Sequence, residues 1–172
     1  VEWAFVKGPR IFRPELYAAF CERLPPAEQT DPLAAYLARL CDPDPKTHVP
    51  AAHAWFAYER ALSEMAPKNV SMPSDVSEGG RLPPTPLIEA HYIRHHFFLR
   101  PGQILDDAHR LAGIPGTIIQ GRYDLLCPPE NAHALAAAWP EARLDIIDTA
   151  GHAMTEPGVM DAMRRAIAEV NG

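Results

Sequence analysis

The segment I-P-G-T-I-I-Q-G-R-Y-D-L-L-C-P-P-E-N-A-H-A-L-A-A-A-W-P-E-A-R-L-D-I-I-D-T-A-G-H, residues 114–152, carries the clearest structural pattern in the chain. Its β-branched run Thr117–Gln120 predicts a strand, and a helix is predicted from Pro128 to about Trp139. A second strand is predicted at Arg143–Ile147, and another helix from about Pro157 to Val170. Strands that alternate with helices indicate βαβ units and a parallel sheet.

Two strands alone do not make a stable parallel sheet. Such sheets are normally buried on both faces, and their edges need partner strands. We therefore expect the sheet to continue in residues outside this chain, so that the fold class is an incomplete α/β fold.

The residues that precede this segment are helical by pattern, and prolines occur where the first turn of a helix accepts them. Pro14 opens a predicted helix over Glu15–Leu24, and Asp31-Pro32 pairs an N-cap with an N1 proline ahead of Leu33–Leu40. Two more helices are predicted on either side of a Pro-, Ser- and Gly-rich loop. The helices are 50–65 and 87–98, and the loop is 67–86. We expect residues 1–112 to form a mainly helical region and residues 113–172 to belong to the sheet-bearing core.

The composition excludes several functional classes. The chain has 172 residues, 47% hydrophobic and 22% charged, with a net charge of −6, and its basic residues form no stripe that would bind nucleic acid. No apolar run approaches the roughly 20 residues that cross a bilayer, so we expect a soluble protein. The spacing of Cys21, Cys41 and Cys127 matches neither a zinc motif nor a disulfide framework, which favours the cytoplasm.

Asp124 and His152 each follow a predicted strand, on the loop just beyond its carboxyl end. Functional groups of open α/β sheets lie at that edge, and neighbouring strands would bring these two side chains together. In a catalytic triad a carboxylate holds the Nδ1–H of a histidine whose other nitrogen takes the proton of a nucleophile. Taken alone, Asp124 is equally typical of a turn residue that caps the next helix.

The chain offers no convincing nucleophile. Its serines do not lie between glycines after a strand, as a nucleophile elbow requires. They are Ser63, Ser71, Ser74 and Ser77. Cys127 lies close to the predicted site, where we expect it to confer sensitivity to thiol reagents rather than to act as the nucleophile.

The chain carries several short motifs. In the C-terminal region these are Gly121-Arg122-Tyr123-Asp124, Cys127-Pro128, Gly151-His152 and Glu156-Pro157-Gly158, and upstream they are Ala54–Glu59, Ile88–Tyr92 and Ala35–Leu40. These motifs resemble those of proline iminopeptidases, which are serine peptidases of the α/β-hydrolase fold. Ala54–Glu59 resembles A-W-x-x-W-E with Tyr58 in place of the second Trp, Ile88–Tyr92 resembles I-E-x-H-Y, and Ala35–Leu40 resembles A-Y-x-x-R-L. The resemblance begins where the helical cap is inserted into the family's core. We therefore expect the cap followed by the last strands and helices of an incomplete α/β-hydrolase.

The resemblance implies a metal-free exopeptidase that releases proline from peptides with a free N-terminal proline. It makes Asp124 the triad acid and His152 the general base, and it implies that Glu59 and Glu89 bind the charged imino group of the substrate. The nucleophile and the oxyanion-hole donors would lie in the missing N-terminal half of the core, so we expect the chain to be inactive alone. No cofactor is implied.

Two alternatives stay open. The first is that the chain belongs to another α/β-hydrolase, such as an epoxide hydrolase or an esterase, which shares the Asp and the His but acts on a different substrate. The chain is also compatible with a non-catalytic binding module that needs a partner chain. A zinc site is disfavoured: His91 and His95 have the i, i+4 spacing, but no glutamate motif or third ligand accompanies them.

Overall fold

The computed structural model describes residues 1–66, 72 and 82–171. Most of the predicted loop 67–86 lies outside the described residues. The chain divides into two units: Val1–Leu62 with Pro67–Phe98, and Ser63–Ala66 with Leu99–Gly172.

The first unit is helical. Asp31 accepts a hydrogen bond from the backbone N–H of Ala34 at 3.1 Å, which confirms the predicted N-cap ahead of Pro32. The described elements are a π-helix (Trp3–Lys7), α1 (Gly8–Phe12), α2 (Pro14–Cys21), a 3-10 turn (Pro26–Glu28), α3 (Pro32–Leu40), α4 (Pro45–Ser63), α5 (Thr85–Arg94) and a second 3-10 turn (His96–Phe98). Ser63, the last residue of α4, counts with the second unit.

Helix α4 begins earlier than predicted. The sequence pattern placed the start at Pro50, but the helix starts at Pro45 and Pro50 lies inside it. The side chain of Asp44 accepts a hydrogen bond from the backbone N–H of Lys46 at 2.9 Å, so that Asp44-Pro45 repeats the Asp31-Pro32 arrangement. Pro50 then leaves one backbone carbonyl of the preceding turn without its helical partner.

Helix α5 ends earlier than predicted. It stops at Arg94 rather than near Phe98, because the next residues leave the right-handed region. His96, Phe97 and Phe98 have φ values of 51°, 55° and 57°, a left-handed turn built without glycine. Left-handed backbone costs an L-residue with a Cβ atom roughly 1–2 kcal/mol, so this turn is strained.

Stacked aromatic rings form the core of the first unit. Phe20 lies between Tyr36 and Tyr58, with ring centroids 4.0 Å and 3.9 Å away. Trp55 stacks on Phe5 at 4.0 Å and is completely buried. The Tyr36 hydroxyl donates to the backbone carbonyl of Phe20 at 2.9 Å, so that its polar atom is satisfied inside the core.

The second unit contains the sheet. Strands β1 (Gly116–Gly121) and β2 (Ala142–Ile147) pair in parallel, from Gly116 opposite Ala142 to Gly121 opposite Ile147. Both strands agree with the predicted ones to within one residue at each end. Helix α7 (Pro129–Ala138) crosses from β1 to β2, and α8 (Pro157–Asn171) follows β2.

Helices α7 and α8 both contact the two strands. The remaining helical elements of this unit are the short α6 (Gln103–Asp106) and a 3-10 turn (Ala108–Leu111). The protein is thus a mixed α/β structure with a small parallel sheet, as the βαβ pattern predicted.

Candidate active site

Asp124 is fixed by the loop that follows β1. Its backbone N–H donates to the carbonyl of Gly121 at 3.3 Å, which turns the chain directly after the strand. Its Oδ1 accepts from the backbone N–H groups of Leu126 and Cys127 at 3.0 Å and 2.8 Å. Asp124 is therefore a turn residue, as one interpretation of the sequence held, but it caps its own loop and not α7, and Oδ2 stays available for a second role.

His152 is fixed by the last residue of α4 and the residues just after it. The backbone N–H groups of His152 and Ala153 both donate to the carbonyl of Ser63, at 2.8 Å and 2.9 Å. Four residues after His152, Oε1 of Glu156 accepts a hydrogen bond from the backbone N–H of Met65 at 2.8 Å. The loop after β2 is thus held at two points by residues 63–66.

The two loops meet backbone to backbone at a pair of glycines. A Cβ atom on Gly121 would lie 2.0 Å from the carbonyl oxygen of Gly151 and 2.7 Å from that of Ala150. A Cβ atom on Gly151 would lie 2.8 Å from the carbonyl oxygen of Ser63. Real Cβ atoms do not approach backbone oxygens so closely, so both positions require glycine.

This approach joins Asp124 to His152. Nδ1 of His152 lies 2.9 Å from Oδ2 of Asp124, and because a carboxylate accepts, Nδ1 donates. The Asp124 side chain is 6% exposed and the His152 side chain 39% exposed. A buried carboxylate that holds one nitrogen of a partly exposed imidazole leaves the other nitrogen for proton transfer.

The same contact favours the charged imidazole. The hydrogen bond to Asp124 and, next in size, one to the Cys127 side chain raise the pKa of His152 to about 10, against the opposing effect of burial. The structure therefore favours the imidazolium form of His152. Only the neutral form accepts a proton, so a general base at this position works best on the alkaline side.

Gln120 is part of the site, and sequence reasoning missed it. The two N–H groups of its Nε2 are shared among three acceptors: Oδ2 of Asp124 at 3.2 Å and the carbonyls of Cys127 and Gly121 at 3.0 Å and 3.1 Å. The only signal was an amide side chain in an apolar strand, directly before the G-x-x-D turn.

Glu59 and Glu89 belong to the first unit, on α4 and α5, whereas Asp124 and His152 belong to the second. Oε2 of Glu89 accepts a hydrogen bond from Nε1 of Trp55 at 2.8 Å. Trp55 lies one helical turn before Glu59, so this bond holds Glu89 beside the face of α4 that carries Glu59. Both carboxylates are half-buried.

Of the four serines, only Ser63 lies among the described residues. Ser63 ends α4 and contributes its backbone carbonyl, while Ser71, Ser74 and Ser77 lie outside the described residues. The ring centroids of His91, on α5, and His95, just after it, lie 4.7 Å apart. Within residues 1–66, 72 and 82–171, no group of three His, Cys, Asp or Glu side chains has the arrangement of a metal site.

None of the helices that the structure describes is both long and apolar enough to span a bilayer.

Comparisons with known proteins give one consistent result. The chain is 34% identical over 178 residues to a proline iminopeptidase of Xanthomonas citri, covering 96% of the chain and 53% of that protein. It is 36% identical to one of Xylella fastidiosa, covering 95% and 52%, and 30% identical to one of Arabidopsis thaliana, covering 92% and 42%. No family model matches the chain. The chain spans about half the length of the curated relatives it matches. Over almost its whole length, the chain is thus a homologue of proline iminopeptidases.

Proposed function

We propose that this chain is the C-terminal part of a serine exopeptidase of the α/β-hydrolase fold that releases N-terminal proline from peptides. The observation that carries the proposal is the 2.9 Å contact between His152 and Asp124, beyond the carboxyl ends of two adjacent parallel strands. The similarity to proteins named proline iminopeptidase supplies the reaction and the substrate class.

In this reaction His152 is the general base and Asp124 the triad acid. Nε2 of His152 takes the proton of a serine hydroxyl as the oxygen attacks the prolyl carbonyl, and an acyl-enzyme forms when the proton is passed to the leaving amine. Water then attacks the acyl-enzyme with His152 again as the base, and the ester bond breaks to release proline and the free serine. Asp124 keeps Nδ1 protonated and stabilises the imidazolium between these steps. The serine and the oxyanion donors come from the N-terminal half of the core.

The proposal that the core continues outside this chain has support in the burial of the strands. Every residue of β1 and β2 except Gly121 keeps some solvent exposure, whereas strands of a complete parallel sheet are buried on both faces. Residues 113–172 are proposed as the end of that core and residues 1–112 as a mainly helical cap.

The cap supplies substrate recognition in this proposal. An N-terminal prolyl nitrogen is cationic near neutral pH, and half-buried carboxylates hold such a group by charge-assisted hydrogen bonds. Glu59 and Glu89 are the proposed acceptors, and the bond from Trp55 fixes the orientation of Glu89. Peptides with a blocked N-terminal proline lose the charge and both N–H donors of the prolyl nitrogen, so we expect them to be rejected.

The test compares this chain with the full-length protein that contains it, using a prolyl-arylamide as the substrate. We expect no turnover by the chain alone and hydrolysis by the full-length protein that disappears in His152→Ala. Hydrolysis by the isolated chain that survives His152→Ala would contradict the proposed mechanism.

Substrate class is tested separately with Glu59→Gln and Glu89→Gln in the full-length protein. We expect KM for the prolyl-arylamide to rise in both, while hydrolysis of a simple ester, which lacks the cationic group, changes little. If neither variant changes KM for the prolyl substrate, that result supports the esterase alternative. If the full-length protein hydrolyses none of the substrates, that result supports a non-catalytic binding role.

A further inference from the structure

The carboxylate of Asp124 is fully hydrogen-bonded. Oδ1 accepts from two backbone N–H groups, those of Leu126 and Cys127. Oδ2 accepts from Nδ1 of His152 at 2.9 Å and from Nε2 of Gln120 at 3.2 Å. A carboxylate has about four lone-pair sites, so each one is occupied here.

The orientation of the Gln120 amide follows from its neighbours. All three groups within hydrogen-bond distance of its Nε2 are acceptors: Oδ2 of Asp124 and the carbonyls of Gly121 and Cys127. An amide oxygen at this place would face three other oxygens, so the nitrogen must point there. The backbone of Gln120 is held in β1 opposite Ile146, and the two carbonyls fix the side-chain end.

We propose that Gln120 is a positioning residue, which holds Oδ2 of Asp124 in line with Nδ1 of His152. The backbone N–H groups bind only Oδ1, and small rotations about the Cα–Cβ and Cβ–Cγ bonds that keep Oδ1 within hydrogen-bond distance still move Oδ2. Gln120 is the second fixed donor, and it restricts Oδ2 to the place where His152 binds. Its role in catalysis rests on the proposed function, whereas its effect on the Asp124–His152 contact does not.

Two other roles for Gln120 give different results. If its amide only reduces the negative charge on Asp124, its removal strengthens the attraction for the imidazolium and the pKa of His152 rises. If it only braces the loop through the carbonyls of Gly121 and Cys127, its removal loosens the whole turn, including the bonds to Oδ1. Positioning predicts a fall in the pKa of His152 with the bonds to Oδ1 intact.

The experiment uses Gln120→Met, which keeps the length of the side chain and removes the donor. The His152 ring is titrated by NMR in the full-length protein, with its resonance identified by its loss in His152→Ala. We expect the pKa of His152 to fall by about one pH unit, because a hydrogen bond that favours the charged form is weakened. The protection of the Leu126 and Cys127 amides against hydrogen exchange stays unchanged.

Gln29→Met is the matched control. Nε2 of Gln29 also donates to a backbone carbonyl, that of Leu24 at 2.8 Å, but in the first unit. We expect this control to leave the His152 titration unchanged. A rise or no change in the pKa of His152 in Gln120→Met, or lost protection of the two amides, overturns the proposal.

A kinetic measurement separates this inference from the proposed function. With a prolyl-arylamide, on the alkaline plateau of the pH profile where His152 is neutral in both proteins, we expect Gln120→Met to lower kcat roughly 10-fold with KM unchanged, since Gln120 orients the base and does not contact the substrate. If the unmodified protein does not hydrolyse the prolyl-arylamide, the proposed function fails, while the titration still decides the role of Gln120. An unchanged kcat in an active enzyme overturns the inference.

Discussion

Different interactions stabilise the interior of each of the two units. In the first unit, Phe20, Tyr36, Trp55 and Tyr58 are each at most 1% exposed, and their rings stack on one another or on Phe5. In the second unit the strands keep partial exposure, and the loops beyond them are fixed by hydrogen bonds and glycine contacts. Large apolar side chains therefore stabilise the first unit, while polar geometry specifies the candidate site of the second.

This difference separates stability from chemistry. Substitutions in the aromatic core should change the free energy of unfolding, because they leave cavities that the surroundings fill only in part. Substitutions at the candidate site should change activity far more than stability, because its side chains are small, polar or partly exposed.

The largest expected effect tests whether the chemistry lies in the second unit. In the full-length protein, we expect His152→Ala to lower kcat/KM for a prolyl-arylamide about 10⁴-fold or more, because the general base is lost. His133→Ala is the control, since His133 is exposed on α7 of the same unit. A His152→Ala variant that keeps more than about a tenth of the activity would remove His152 from the mechanism.

The aromatic core comes next. We expect Trp55→Ala to lower the free energy of unfolding by about 3–5 kcal/mol, measured by urea denaturation, because the side chain is 0% exposed and also donates to Glu89. The adjacent Phe56 is 38% exposed, and Phe56→Ala should cost less than about 1 kcal/mol. Equal losses in the two variants would show that burial in this unit does not set its stability.

A smaller effect is expected at the glycine contact of the second unit. Gly121→Ala places a Cβ atom 2.0 Å from a backbone oxygen, and we expect a loss of about 1–3 kcal/mol together with a weakened Asp124–His152 contact. In Gly158→Ala the new Cβ lies 2.6 Å from the Ile147 side chain, which can shift, so the loss should be smaller. Thermal unfolding measures the stability loss of each variant. A larger loss in Gly158→Ala than in Gly121→Ala would contradict the close backbone approach at Gly121.

The smallest effect concerns pH. The folded-state pKa of His152 is raised from 6.5 to about 10, so the ion pair with Asp124 stabilises the fold fully below about pH 6.5. That stabilisation is lost as the pH rises toward 10. Because His152 is partly exposed, solvent screening reduces the stabilisation that the ion pair contributes. We expect Asp124→Asn to flatten this part of the stability profile in thermal unfolding at several pH values; an unchanged slope would place the pH dependence elsewhere.

Local rules predicted much of the fold. The β-branched runs located both strands, and the Asp-Pro pair at residues 31–32 located the start of α3. The same rule applied to Asp44-Pro45 would have favoured it over Pro50, because Val49 offers no capping side chain. Asp42-Pro43 has the same pattern two residues earlier, and sequence alone does not rank these two pairs.

Features that depend on partners distant in sequence could not be predicted in this way. The left-handed turn at His96–Phe98 has no glycine or asparagine to signal it. The bond between Trp55 and Glu89 joins residues 34 positions apart, and an amphipathic pattern gives no partner for an indole N–H. Gln120 belongs to no catalytic motif, and only its three acceptors reveal its role.

The glycine pair at positions 121 and 151 has a consequence for directed evolution of this protein. A library that varies the residues around Asp124 and His152 will lose members at these two positions even when each new side chain is small, because the space is already filled by main-chain oxygens. Diversity is better placed at Tyr123 and Met154, which are 63% and 66% exposed beside the two catalytic candidates.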